Sequence, residues 1–198
     1  MRKLALTTGL LAGLSQVCSA MEPGRWDIGG GPGVSIPISS DWGGAFRPSL
    51  NLSGYGLYRY APGRALGLEL GYDFPHRLNR EGASSDDITC RIFQITPVFR
   101  ISRDFKLGRA KADAYAIVGF GFYTITASYS ARIEALRKIS DATIIKLGSS
   151  LGGGAAVELR DGLRLVFDLR WHHWHHSFHE MDTVINNITP SLRLSFTL

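Results

Sequence analysis

Apolar and polar residues alternate with a period of two along much of the chain, most cleanly from Leu163 to Trp171. Leu163, Leu165, Phe167, Leu169 and Trp171 share one parity, and Arg164, Val166, Asp168 and Arg170 the other. Successive side chains of a strand point to opposite faces, so the segment predicts a strand with one oily and one largely ionic face. A sandwich strand buries an apolar face and shows a mixed polar one. An unbroken oily face opposite full charges is the inverted alternation of a transmembrane barrel strand, apolar outside and polar inside.

Seven more segments read as strands. Trp26 to Ile38 sets Trp26, Ile28, Val34, Ile36 and Ile38 against Asp27 and Ser35. Arg47 to Tyr60 sets Leu50, Leu52, Tyr58 and Tyr60 against Asn51, Ser53 and Arg59. In Ala65 to Phe74, Leu66, Leu68, Leu70, Tyr72 and Phe74 alternate with Gly67, Glu69, Gly71 and Asp73. Ile88 to Ser102 opposes Phe93, Ile95, Pro97, Phe99 and Ile101 to Gln94, Thr96 and Arg100. Asp113 to Ser128 is apolar on both parities, which leaves its facing open. Thr143 to Leu159 opposes Leu147, Leu151, Ala155, Val157 and Leu159 to Gly148, Gly152, Gly154 and Glu158, and Thr183 to Leu198 closes the series. The links also alternate. Ala61-Pro62-Gly63, Arg103 to Ala112 and Arg160-Asp161-Gly162 are tighter, and Pro-Gly and Asp-Gly pairs are hairpin signals. Ser39 to Phe46, Pro75 to Asp87, Tyr129 to Ala142 and His172 to Asp182 are mostly longer and more polar. Short turns at one end and long loops at the other predict an all-β fold: an eight-stranded antiparallel transmembrane β-barrel, an up-and-down meander with both termini in the periplasm.

A soluble ligand-binding barrel of eight strands would need apolar residues inside. Here the inward parity carries Asp27, Glu69, Asp73, Glu158 and Asp168 with Arg59, Arg100, Arg164, Arg170 and Arg193, five acids and five arginines. Matched guanidinium and carboxylate sets satisfy one another. Leucines and phenylalanines on the other parity would form a large sticky patch in water and are required in lipid. Inward glycines make room for arginines in a narrow interior, so the expected lumen is plugged.

The first twenty residues predict a signal peptide: Arg2 and Lys3, the apolar run Leu4 to Leu14, and small residues up to Ala20. The run is too short to span a bilayer as a helix. This assigns residues 1–20 to targeting and residues 21–198 to one outer-membrane barrel domain. Removing Arg2 and Lys3 lowers the net charge from +5 to +3. Cys90 is then the only cysteine, which excludes an internal disulfide, and it reads as an inert small residue. No basic stripe with interleaved aromatics suggests nucleic acid.

The leader, the strand Leu66-Gly67-Leu68-Glu69-Leu70-Gly71-Tyr72, Tyr115 to Tyr123 with Gly119 and Gly121, the Gly152-rich hairpin through Arg170-Trp171-His172, and the final strand together resemble the small outer-membrane barrels of the OmpA/OmpX and opacity type. The resemblance implies a Gram-negative outer-membrane location. It also implies membrane lipid, lipopolysaccharide and the barrel-assembly machinery as partners, and a structural or surface-interaction role through the external loops. That family usually ends in an aromatic residue; this chain ends in Leu198, with Phe196 two residues earlier on the same face.

Five of the six histidines lie between His172 and His179. The favoured reading is a solvated external loop with Trp171 and Trp174 at the headgroup level. A second is metal capture by His172, His173, His175, His176 and His179, with zinc or nickel as the cofactor and Glu180 or Asp182 as further donors. A third is esterase chemistry. His175-His176-Ser177 resembles the His-x-Ser pair of the lipid A deacylases, another eight-stranded outer-membrane family. The family's Ser-Asn-Ala continuation is replaced here by Ser177-Phe178-His179. If the strand continues past Trp171, His173, His175 and Ser177 keep its lipid-facing parity. His175 would then be the base for Ser177, oriented by Asp182 or Glu180. His76 reads as loop surface, and Arg132, Arg137 and Lys138 with Glu134 as a solvated external loop, with contact to lipopolysaccharide phosphates as the alternative. The non-enzymatic reading predicts that lipid A from cells making the protein keeps all its acyl chains by mass spectrometry. Loss of a chain that disappears with Ser177→Ala would contradict it.

Overall fold

A computed structural model describes residues 22–78, 88–108, 110–129, 142–178 and 181–198. The predicted signal peptide and the basic run Arg132 to Lys138 lie outside these residues. Eight strands form one closed antiparallel barrel in sequence order. They are β1 (Trp26–Pro37), β2 (Ser49–Ala61), β3 (Arg64–Arg77), β4 (Ile88–Leu107), β5 (Ala110–Tyr129), β6 (Ala142–Arg160), β7 (Leu163–Phe178) and β8 (Met181–Thr197). Closure comes from β1 against β8, where Ile28 pairs with Phe196 and Gly33 with Ser191. A closed ring gives every strand two partners, the condition for a sheet to stand in lipid without unpaired edges.

The strands turn tightly at one end. β2–β3, β4–β5 and β6–β7 are each joined by two residues. In each, a glycine adopts the left-handed region: Gly63 at φ 66°, Gly108 at φ 63° and Gly162 at φ 76°. A side chain is strained there, which is why glycine serves these turns. The β4–β5 connection is thus Gly108-Arg109, shorter than the expected Arg103 to Ala112, because both strands continue pairing down to Leu107 opposite Ala110. The chain's described ends lie at this turn end, with Trp26 and Leu198 exchanging backbone hydrogen bonds.

The loop end departs from the expected pattern in two places. Ser39 to Phe46 contains a one-and-a-half-turn helix, α1 (Ser40–Ala45), which packs against β8 and β1. The segment from His172 is not a loop. β7 runs to Phe178 and β8 starts at Met181, with ladder pairs Trp174 to Ile185, His175 to Val184 and Ser177 to Asp182. Alternation simply continues beyond Trp171: His172 and Trp174 are buried, whereas His175 is exposed.

Facing follows the charges. Leu66, Leu68, Leu70, Phe167, Leu169, Leu192, Leu194 and Phe196 are exposed around the outside. The open facing of β5 resolves with Asp113, Tyr115, Ile117, Tyr123 and Ile125 buried in the barrel and Val118, Phe120 and Phe122 outside. Lipid exposure of this belt predicts strand-dominated circular dichroism and heat-modifiable gel migration in detergent. It also predicts that Leu70→Arg destabilises by about 2–4 kcal/mol and Leu107→Arg, at the turn end, by about 0–1 kcal/mol in unfolding titrations from lipid vesicles.

Candidate functional site

The barrel interior is a continuous set of buried ionic and polar side chains, flanked by two apolar clusters. At its centre Glu69 of β3 accepts hydrogen bonds from Arg170 Nη2 at 2.9 Å and Arg193 Nη1 at 3.0 Å. Arg170 Nη2 also donates to Asp168 Oδ2 at 3.1 Å, and Arg193 Nη1 lies 3.6 Å from the same oxygen. Tyr115 donates its hydroxyl hydrogen to Asp168 Oδ2 at 2.7 Å. Two carboxylates thus meet two guanidiniums, and all four residues are at most 1% exposed. Charge-assisted bonds of this kind offset the cost of taking the ions out of water only when each partner is present.

Room for this cluster comes from β6. A Cβ on Gly152 would collide with the Leu169 carbonyl and come within 2.7 Å of Arg170 Cδ, and one on Gly154 would lie 2.6 Å from the Tyr115 hydroxyl. The glycines opposite the arginine strand are therefore steric requirements of the ionic cluster.

Toward the turn end, Arg59 grips Asp27 with two nitrogens, Nε at 2.7 Å from Oδ2, and its Nη2 reaches Thr197 Oγ1 at 3.0 Å. Arg100 and Arg164 both pair with Asp113, and the Arg100 guanidinium sits 3.9 Å above the Tyr115 ring. Beside them pack Tyr55, Leu57, Ala65, Val98, Ile117, Ala156 and Val166.

Toward the loop end, no arginine among the described residues pairs with Asp73. It accepts from Ser35 Oγ at 2.7 Å and Asn51 Nδ2 at 2.6 Å, and His76 Nε2 lies 3.6 Å away. His76 is fully buried and donates Nδ1–H to the Arg47 carbonyl at 2.9 Å, which corrects its reading as loop surface. Asn187 couples this group to α1, donating to Ser35 Oγ at 2.9 Å and accepting from Trp42 Nε1 at 2.8 Å. Trp42, Cys90, Ile92, Tyr123, Ile125, Trp174 and Ile185 then form an apolar cluster over the ionic set, with Tyr123 and Trp174 stacked at 4.7 Å.

Of the ten residues expected in the lumen, Asp27, Arg59, Glu69, Asp73, Arg100, Arg164, Asp168, Arg170 and Arg193 are buried as described. Glu158 is not among them. It lies near the turn end and pairs at 3.6 Å with Lys111, whose side chain is 81% exposed. Its parity is inward, but its position at the last turn of β6 puts it within reach of a solvated lysine. Asp113 takes its place as the fifth acid, and the five-to-five balance is kept.

The histidines are divided by the strand. His172 is buried and its Nδ1 lies 3.1 Å from the Tyr123 hydroxyl, whereas His173 and His175 are on the outer surface, rings 5.1 Å apart. A site combining His172 with His173 and His175 is incompatible with this alternation. Among the described residues no three His, Cys, Asp or Glu side chains converge as a metal site. The ladder sets Ser177 opposite Asp182 and His175 opposite Val184. The side chains of His176, Ser177 and Asp182, and all of His179 and Glu180, lie outside the described residues.

No protein-family model and no curated protein matches the sequence. Solved structures do match. OprG of Pseudomonas aeruginosa, an outer membrane protein, aligns with a TM-score of 0.64 at 13% identity, over 90% of this chain and 98% of its own. Neisserial surface protein A aligns at 0.61 and 11% identity, over 87% and 98%. The N-terminal β-barrel domain of Pseudomonas aeruginosa OprF aligns at 0.51 and 10% identity, over 90% and 100%. The chain has the fold of the small eight-stranded outer-membrane β-barrels, the architecture of the OmpA/OmpX type. At these identities the likeness is one of fold.

Breaking the central cluster on one side leaves an unpaired buried charge. Arg170→Leu should therefore cost about 3–5 kcal/mol. Glu69→Gln combined with Arg170→Leu keeps Arg193 beside Asp168 and should cost less than Arg170→Leu alone in the same unfolding titrations. A double variant as damaged as the sum of the singles would contradict the coupling.

Proposed function

We propose that this chain is an outer-membrane barrel whose lumen is closed to solutes and whose role is structural or surface-interacting, exerted from its loop end. The observation behind this reading is the filled interior. Four acids, Asp27, Glu69, Asp113 and Asp168, and five arginines hold one another across the barrel, between the Tyr55–Leu57–Val98 cluster and the Trp42–Trp174 cluster, and Asp73 is held by neutral donors. A water-filled pore needs a wider barrel, and in eight strands side chains fill the interior. An unmatched charge would draw water and ions. A matched one holds its partner instead.

In this reading the turn end and both termini face the periplasm and the longer connections face outward, as in bacterial barrels of this architecture. Membrane lipid contacts the leucine and phenylalanine belt. Lipopolysaccharide phosphates meet exposed cations near the loop end, such as Arg91 of β4, and the barrel-assembly machinery inserts the chain. The clustered loop-end aromatics stiffen the surface that a partner would meet, since α1 is tied to β8 through Trp42 and Asn187.

Proteoliposomes carrying the folded protein should not swell in isotonic arabinose, and planar bilayers should show no steady ohmic channel. A stable conductance in the folded wild type would overturn the closed-lumen reading. A tag at the N-terminus of the mature chain should be reached by protease only after the outer membrane is permeabilised. Cleavage in intact cells would overturn the orientation.

A further inference from the structure

The geometry points to a transition-metal site on the outer wall of the barrel, formed by His173 and His175 of β7 and oriented by Asn186 of β8. It is separate from the lumen and does not depend on whether that lumen conducts.

Along the outward parity of β7, Phe167, Leu169 and Trp171 give way to His173 and His175. The neighbouring strands change at the level of His173. Trp171 pairs with Leu151 and Ile188, an apolar row, whereas His173 pairs with Ser149 and Asn186, a polar one. Tryptophans mark the boundary between hydrocarbon and headgroups, so the two histidines stand just past Trp171 at that boundary, His173 in a polar row and His175 opposite Val184.

Three features favour a metal over a pair of idle rings. First, the residues are two apart on one face of a rigid ladder, so both rings project from the same side. Second, their centroids are 5.1 Å apart. Two imidazoles on one tetrahedral ion with metal–nitrogen distances of about 2.0–2.1 Å have centroids about 5.2 Å apart. Third, His173 is already oriented. Its Nδ1 lies 2.8 Å from Asn186 Oδ1, an oxygen that only accepts, so Nδ1 carries the hydrogen and Nε2 is left as the lone-pair donor. A ring nitrogen fixed by an oxygen acceptor is the usual outer support of a histidine metal ligand. Trp171, 5.4 Å from His173 and tilted by 31°, bounds the ring on the membrane side.

Neutral imidazole suits zinc, copper and nickel rather than calcium or magnesium, which prefer oxygen. Two protein nitrogens leave the other positions for water or an oxygen donor at the membrane surface. The consequence is a surface site for a divalent zinc-like ion, exchangeable from outside.

The test is calorimetric titration of zinc into the folded barrel in maltoside detergent, with heat-modifiable migration as the folding control. Wild type should bind one zinc ion that His173→Gln with His175→Gln weakens at least tenfold. Asn186→Leu, which leaves both ligands in place, should weaken it by about tenfold, the lower end of what losing an outer support costs. His176→Gln should bind as wild type does. An isotherm unchanged by the double substitution, loss of binding in His176→Gln, or no binding by the wild type would each overturn the assignment. If the double variant does not fold, His175→Gln alone carries the same expectation.

Discussion

A barrel of eight strands encloses a space only as wide as the side chains that fill it, and that limit governs this molecule. Glu69 and Asp168 enter that space, far from water, and Arg170 and Arg193 enter with them. Each guanidinium touches both acids, at distances from 2.8 to 3.6 Å. Lipid outside cannot compensate any of these charges, and each of the four residues is at most 1% exposed. The charges therefore have to be matched strand against strand, which makes the register of β3, β7 and β8 an electrostatic matter as well as a hydrogen-bonding one. The glycines of β6 are the steric complement of the same requirement, because Arg170 of β7 and Tyr115 of β5 fill the volume their side chains would have taken.

From this centre the molecule is graded. Toward the turns the ionic groups alternate with apolar ones, and Arg100 lies on the Tyr115 ring while pairing with Asp113. Toward the loops no further arginine is buried among the described residues. Asp73 accepts from Ser35 and Asn51 with His76 3.6 Å away, and beyond it Trp42 and Trp174 pack in an aromatic cluster. The outside is graded too, from leucine and phenylalanine through Trp171 to the polar row of Ser149, His173 and Asn186. Both faces of β7 thus change character at about the same level.

Much of this was legible in the chain. The strict alternation of β3 and β7, with Gly67, Glu69, Gly71 and Asp73 at successive second places of β3, was enough to set facing and architecture. β5 was not legible, because its inward face carries Tyr115, Ile117, Tyr123 and Ile125 and so looks as apolar as its outward face. That hid Asp113. The clue present was the spacing of Asp113, Tyr115, Gly119, Gly121 and Tyr123 on one parity, polar-tipped or small, which an arginine-filled lumen demands. The histidine segment was misread as a loop because ionisable residues suggested solvent. Its unbroken alternation with Trp174, and the β-branched Thr183, Val184 and Ile185 opposite, favour a strand. α1 was invisible for another reason. Ser40-Asp41-Trp42-Gly43-Gly44-Ala45 is a poor helix by composition, and the burial of Trp42 against the barrel top holds it. Glu158 shows the limit of parity: it gives direction but not depth along the strand.

The central claim is that Glu69 is held by two arginines in a closed interior. It is tested most directly by solid-state NMR of the barrel in lipid bilayers, with 15N in arginine side chains and 13C in glutamate carboxyls. The account predicts that the Glu69 carboxyl carbon is rigid and strongly dephased by guanidinium nitrogens, at the separations that the 2.9 and 3.0 Å contacts impose. A mobile Glu69 carboxyl with no arginine dephasing, in contact with bulk water, would contradict it.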